Sequence, residues 1–137
     1  MENRTELLEH VLVPIANKTV ATRTANELDA YTPQRVTVLH VVEKGGGGID
    51  KTPVSYSEEA AADAFEAFQE VFPDAETNTA YASNVVKEIH KRATTLDATS
   101  VAFRSQGGNR LLQFISGDRS TKLITGTDIP VIVLPAN

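Results

Sequence analysis

The chain contains no cysteine. That excludes a disulfide framework, thiol-based catalysis and zinc-finger ligand spacing together. No apolar run approaches the length of a membrane span, and residues 1–9 mix charges with Leu7 and Leu8 instead of the apolar core of a signal peptide. Positive charge is scarce: 13 Lys and Arg stand against 18 Asp and Glu, a formal net charge of −5. This balance speaks against nonspecific binding to nucleic acid and against attraction to an anionic membrane. The expected location is cytoplasmic, with neither nucleic acid nor membrane as partner.

Familiar catalytic signatures are missing as well. Nothing after Val13-Pro14 offers the Gly-x-Gly-x-x-Gly turn of a dinucleotide site, and the four glycines Gly45 to Gly48 lack the Lys-Ser/Thr that completes a phosphate-binding P-loop. Residues 43–56, which hold those glycines and Pro53, read instead as a flexible insert, because glycine-rich segments cost the most entropy to order. Ser105 lacks the preceding glycine of a nucleophile elbow. The three histidines, His10, His40 and His90, have no partner four residues on of the HExxH kind, so no metal site is expected. His40 reads as a hydrogen-bonded strand residue. No catalytic constellation emerges.

What is present is alternation of strands and helices. At 137 residues the chain fits one domain, 1–137, able to bury about two-thirds of its unfolded surface. His10 to Ile15, Val36 to Val42 and Val131 to Leu134 are continuous apolar runs that do not alternate, the pattern of strands covered on both faces of a parallel sheet. Thr19 is a candidate cap for a first helix with Ala21, Ala25 and Leu28 on one face. Ser57 is a candidate start for a second helix, with Ala61, Phe65, Phe68 and Phe72 as its core stripe. Thr77 to Tyr81 reads as a short edge strand. Ser83 or Asn84 can cap a third helix facing inward through Val85, Ile89, Ala93 and Leu96. Thr99 to Phe103 is a further strand, and residues 120–125 the core of a last helix before the strand led by Pro130. The βαβαβαβαβ pattern argues a three-layer α/β domain.

A glycine-bearing stretch, Arg104 to Ser120, follows the fourth strand. In an open α/β sheet that is where backbone N–H groups and a helix N-terminus gather an anion. Gly107 would let backbone approach a phosphate, Gly117 would turn the chain, and Ser120 would donate from a helix N-terminus. A surface loop with a tight turn at Gly107-Gly108 is the simpler alternative.

The spacing Gly107-x9-Gly117, followed by Ser120, resembles the phosphate loop of the universal stress protein family, Gly-x2-Gly-x9-Gly-Ser/Thr-x-Ser/Thr. His10-Val11-Leu12-Val13-Pro14, Leu39-His40-Val41-Val42 and Asp128-Ile129-Pro130-Val131-Ile132-Val133 are similar to its first, second and last strands. The resemblance implies a five-stranded parallel sheet of order 3-2-1-4-5, the adenine-nucleotide α-hydrolase-like fold, and a homodimer paired through the C-terminal strand. It implies ATP or another adenine nucleotide with Mg as cofactor. The corresponding pocket here would comprise Pro14, Ala16, Val41, Arg104, Gly107, Gly117, Asp118, Arg119 and Ser120.

Three of those positions depart from the family pattern. Ala16 stands where an Asp contacts the nucleoside, Arg104 where the first loop glycine stands, and Asp118 where the first hydroxyl stands. Ala16 removes a hydrogen-bond acceptor, Arg104 puts a long side chain against the ligand, and Asp118 sets a carboxylate beside phosphate. The expectation is a non-enzymatic dimeric module with a degenerate nucleotide pocket, acting in stress response through protein contacts or a small anionic ligand. The alternative is an ATP-binding switch or slow ATPase.

Overall fold

The computed structural model describes residues 6–43, 54–104 and 128–135. Within them the elements run β1 (Val11–Pro14), α1 (Lys18–Asp29), β2 (Val36–Glu43), α2 (Val54–Val71), β3 (Glu76–Ala82), α3 (Val85–Thr95), β4 (Ser100–Arg104) and β5 (Val131–Leu134). All five strands form one sheet of order β3-β2-β1-β4-β5, and every pairing is parallel. This is the expected three-layer α/β fold and the expected order.

The apolar runs explain the architecture. Val11, Leu12 and Val13 are fully buried, which only a central strand covered on both faces permits. Pleating divides them. Val11 and Val13 join Ala21, Ala25 and Leu28 of α1 and Ala64 and Phe68 of α2 in one core cluster. Leu12 joins Leu39, Val101 and Phe103 beneath Val85 and Ile89 of α3 in a second. So α1 and α2 cover one face and α3 the other. The chain steps outward from β1 through β2 to β3, then crosses back to β4 over the opposite face, as right-handed crossovers require.

Helix boundaries are set by capping. The first helix starts at Lys18, and its cap is Asn17, whose side-chain oxygen accepts from the Val20 backbone N–H at 2.9 Å. The expected cap Thr19 lies inside the helix and is corrected. Asn17 has extended backbone, the geometry that aims a short carbonyl side chain at the open N–H groups of the first turn. Asn84, one of two candidates, caps α3 by accepting from Lys87 N. The second helix begins at Val54 rather than Ser57, and β2 continues to Glu43, so the interval between them is shorter than the expected 43–56 insert. Residues 44–53, which hold Gly45 to Gly48, lie outside the described residues, as does the helix expected over 120–125.

The aromatic stripe of α2 is core. Phe68 is fully buried and stacks on Phe72 with ring centroids 5.3 Å apart. Phe65 and Phe72 are partly buried against the same cluster. Phe68→Ala is expected to lose about 3–5 kcal/mol of stability in urea denaturation, from lost burial plus the cavity left behind. Asn17→Ala is expected to lose about 1 kcal/mol.

Candidate functional site

Ligand sites in open α/β sheets lie beyond the strand C-termini, where neighbouring strands connect to opposite faces. Here that point falls between β1, whose chain leaves toward α1, and β4. The surrounding geometry is built from four of the nine sequence-predicted site residues. Pro14 is buried at the end of β1, Ala16 is half-buried two residues on, Val41 is half-buried in β2, and Arg104 ends β4. The remaining five, Gly107, Gly117, Asp118, Arg119 and Ser120, lie outside the described residues.

The turn after β1 is pinned to β2. The Ile15 N–H donates to the Leu39 carbonyl at 2.9 Å, and the Ile15 carbonyl lies 3.2 Å from His40 Nδ1. Ile15 and His40 are both buried. His40 is therefore a hydrogen-bonded strand residue, as its sequence context suggests. Burial holds its pKa below the ordinary 6.5, and the Ile15 carbonyl opposes that shift in part. Directly after this pin, Asn17 caps α1. Sequence reading overlooked Asn17, although Asn immediately before Lys18-Thr19-Val20 offers the side-chain acceptor three residues ahead of a core position. Ala16 lies between the pin and the cap, so its methyl carries no acceptor at the place where the helix N-terminus opens.

Arg104 is the unusual residue. It is only 3% exposed, a degree of burial that a guanidinium reaches only when polar or charged groups surround it. It does make a polar or electrostatic contact. Pleating defines its side: Ala102, two residues earlier, belongs to the α1–α2 cluster, and the register partner of Arg104, Leu134, belongs to the same cluster. Arg104 thus extends to the α1 side of the switch point. Phe103 faces α3. Val41 also packs toward the α3 cluster, opposite Ala80 in register.

A second feature lies at the edge of the sheet. A groove of about 460 Å³ runs beside β5, lined by Leu7, Leu8, Leu28, Tyr31, Ile132 and Pro135 among others. Leu7, Tyr31 and Val133, three of the four exposed large hydrophobic residues among the described ones, line this groove. The described residues contain no group of three or more His, Asp or Glu arranged to hold a metal. No described helix is long and apolar enough to cross a membrane.

The family model for the universal stress protein family matches residues 8–135. No curated protein matches the sequence significantly. Among solved structures, a universal stress protein from Archaeoglobus fulgidus in complex with dAMP aligns at TM-score 0.68 and 17% identity, covering 93% of this chain and 98% of that one. Universal stress protein UspA from Lactobacillus plantarum aligns at TM-score 0.63 and 21% identity, covering 93% and 97%. A universal stress protein in complex with cAMP aligns at TM-score 0.62 and 11% identity, covering 92% and 96%.

The His40 environment has a pH consequence. Because the folded state lowers its pKa, its contribution to stability is complete above 6.5 and is lost as pH falls through that value toward the folded pKa. Urea midpoints are expected to drop between about pH 7.5 and about pH 5.5. The drop should be smaller in His40→Gln, which keeps a side-chain donor and has nothing to protonate.

Proposed function

This chain belongs to the universal stress protein family, and we propose that it is a non-enzymatic member in which the nucleotide pocket is degenerate. It would act in stress response as a single-domain homodimer, through protein contacts or a small anionic ligand. The observation that carries this reading is the burial of Arg104, 3% exposed at the end of β4. A glycine there would let ligand approach the backbone. A covered arginine occupies that space with its own side chain and is already engaged by a contact within the fold. Ala16 adds to the loss by presenting a methyl group beside the helix N-terminus. A missing charge-assisted hydrogen bond at that position forfeits about 1.5–3 kcal/mol, tenfold or more in affinity. Asp118 contributes like-charge repulsion toward a polyphosphate, and Arg104 or Arg119 is a candidate to neutralise it.

A second reading keeps adenine nucleotide binding, with ATP and Mg, and makes the chain a switch or slow ATPase. The dAMP and cAMP complexes of its structural relatives favour it. In that case Pro14, Val41, Gly107, Gly117 and Ser120 would form the pocket, with Arg104 and Arg119 facing phosphate.

The homodimer is supported by the edge of the sheet. Among the described strands β5 has a neighbour, β4, on one side only, and the groove that holds the exposed Leu7, Tyr31 and Val133 is lined in part by this strand. An open strand edge beside apolar surface is a site for pairing with a second chain.

Two experiments test these readings. The triple variant Ala16→Asp, Arg104→Gly, Asp118→Ser is expected to bind Mg-ATP at least about tenfold more tightly than the unsubstituted chain in calorimetric titration. Equal affinity would remove the account of a pocket closed by these residues. Sedimentation velocity at micromolar concentration is expected to show a dimer, and Val133→Glu to give a monomer; a monomeric unsubstituted protein would refute the interface.

A further inference from the structure

A connected set of polar side chains crosses the other end of the sheet, at the strand N-termini and away from the nucleotide-type site. His10 immediately precedes β1 and is 4% exposed. Its Nε2 lies 2.8 Å from Thr37 Oγ1 of β2, itself buried. Thr37 Oγ1 lies 3.4 Å from Glu76 Oε1 of β3, and the same carboxylate oxygen accepts from Arg35 at 2.9 Å. Strand register builds this row. Leu12 pairs with Thr37, and Thr37 with Glu76, so His10, two residues before Leu12, lies on the same face as both. The row therefore runs from a buried imidazole to a half-exposed ion pair beneath the end of α3.

The hydroxyl of Thr37 is the hinge of the row, because it holds one proton to donate and lies between two acceptors. Backbone at Leu96 and Asp97 favours the protonated form of the ring. In the neutral tautomer whose proton is on Nδ1, the Nε2 that faces Thr37 carries no hydrogen. Nε2 is then an acceptor and takes the Thr37 proton, which leaves the Glu76 contact without a donor from Thr37. In the imidazolium both nitrogens donate. Nε2–H then points at the Thr37 oxygen, whose own proton is released toward Glu76.

We infer that His10, Thr37 and Glu76 form a reversible hydrogen-bond relay, in which protonation of the buried imidazole turns the Thr37 hydroxyl from His10 to the surface carboxylate of Glu76. The relay is an acid-responsive device of the sheet's N-terminal edge. The one covalent change is the Nε2–H bond, formed with a proton from solvent and broken when that proton returns there; the Thr37 hydroxyl keeps its own proton and only turns. The charged groups around His10 are Arg35 from the approach to β2, which opposes protonation, and Glu76 from β3, which favours it. The α3–β4 turn contributes backbone that favours it as well, while the Asp97 side chain is exposed. Burial is the largest influence and holds His10 below the ordinary 6.5, so the relay reverses on the acid side of that value.

The test is an NMR titration of the His10 ring protons in four proteins: the unsubstituted chain, Thr37→Val, Glu76→Gln and the double variant. Thr37→Val keeps shape and removes the hinge, and Glu76→Gln removes the charge at the far end. Each single change is expected to move the His10 midpoint to lower pH. The shift from Glu76→Gln is expected to shrink markedly in the Thr37→Val background, because the route between them is gone. An equal Glu76→Gln shift in both backgrounds means that the carboxylate acts through space, and overturns the relay. So does a His10 midpoint indifferent to Thr37→Val. Should Thr37→Val fail to fold, the unsubstituted protein still decides. Its Glu76 carboxyl carbon must show a second inflection at the His10 midpoint, and a single inflection contradicts the proposal.

Discussion

The structure depends on β1 being paired on both sides. Val11 stands opposite Val36 of β2 and Ser100 of β4, and the five residues Val11 to Ile15 are all buried. A strand in that position fixes the direction of every crossover and places the switch point beside its own C-terminus. Its two ends are anchored differently. At the N-terminal end the His10 carbonyl accepts from Thr99 at 2.7 Å, and its N–H donates to the Thr99 hydroxyl at 2.9 Å. At the C-terminal end Ile15 is held by Leu39 and His40. Each end has a buried histidine whose pKa is lowered first by burial, so protonation of either ring costs folding stability.

The fold was largely legible because a strand buried on both faces must be written as an unbroken apolar run. Val11 to Ile15 and Val36 to Val42 carry that signal without ambiguity, and the weak alternation of Thr77 to Tyr81 marked the edge that β3 forms. Helix faces were equally plain. What failed was the fine placement of helix starts. Thr19 and Asn17 are both reasonable caps in sequence, and only the backbone angles at Asn17 decide between them. The start of α2 was missed for a related reason: Val54 and Tyr56 are no better helix formers than loop residues, so Ser57 was the first visible signal.

The place of Arg104 in the fold was legible in the sequence, and the burial of its side chain was not. Sequence spacing located Arg104 at the end of β4, yet nothing in the sequence tells that its side chain is covered and directed to the α1 side. That follows from pleating and from the register with Leu134. The row of His10, Thr37 and Glu76 was wholly hidden, since its members are separated by 27 and 39 residues and meet only through strand register. Physically, spacing along the chain reports local periodicity, whereas both of these features arise between strands.

In the proposed reading, side chains of this chain, Arg104 foremost, occupy the space that nucleotide would need. Calorimetric titration of the dialysed, unsubstituted protein with Mg-ATP, with AMP and inorganic phosphate in parallel, tests it most directly. No binding heat is expected from ATP or AMP at concentrations up to about millimolar, where affinity is worth only about 4 kcal/mol. Micromolar binding of ATP would contradict it, and would establish that the pocket opens despite the buried arginine.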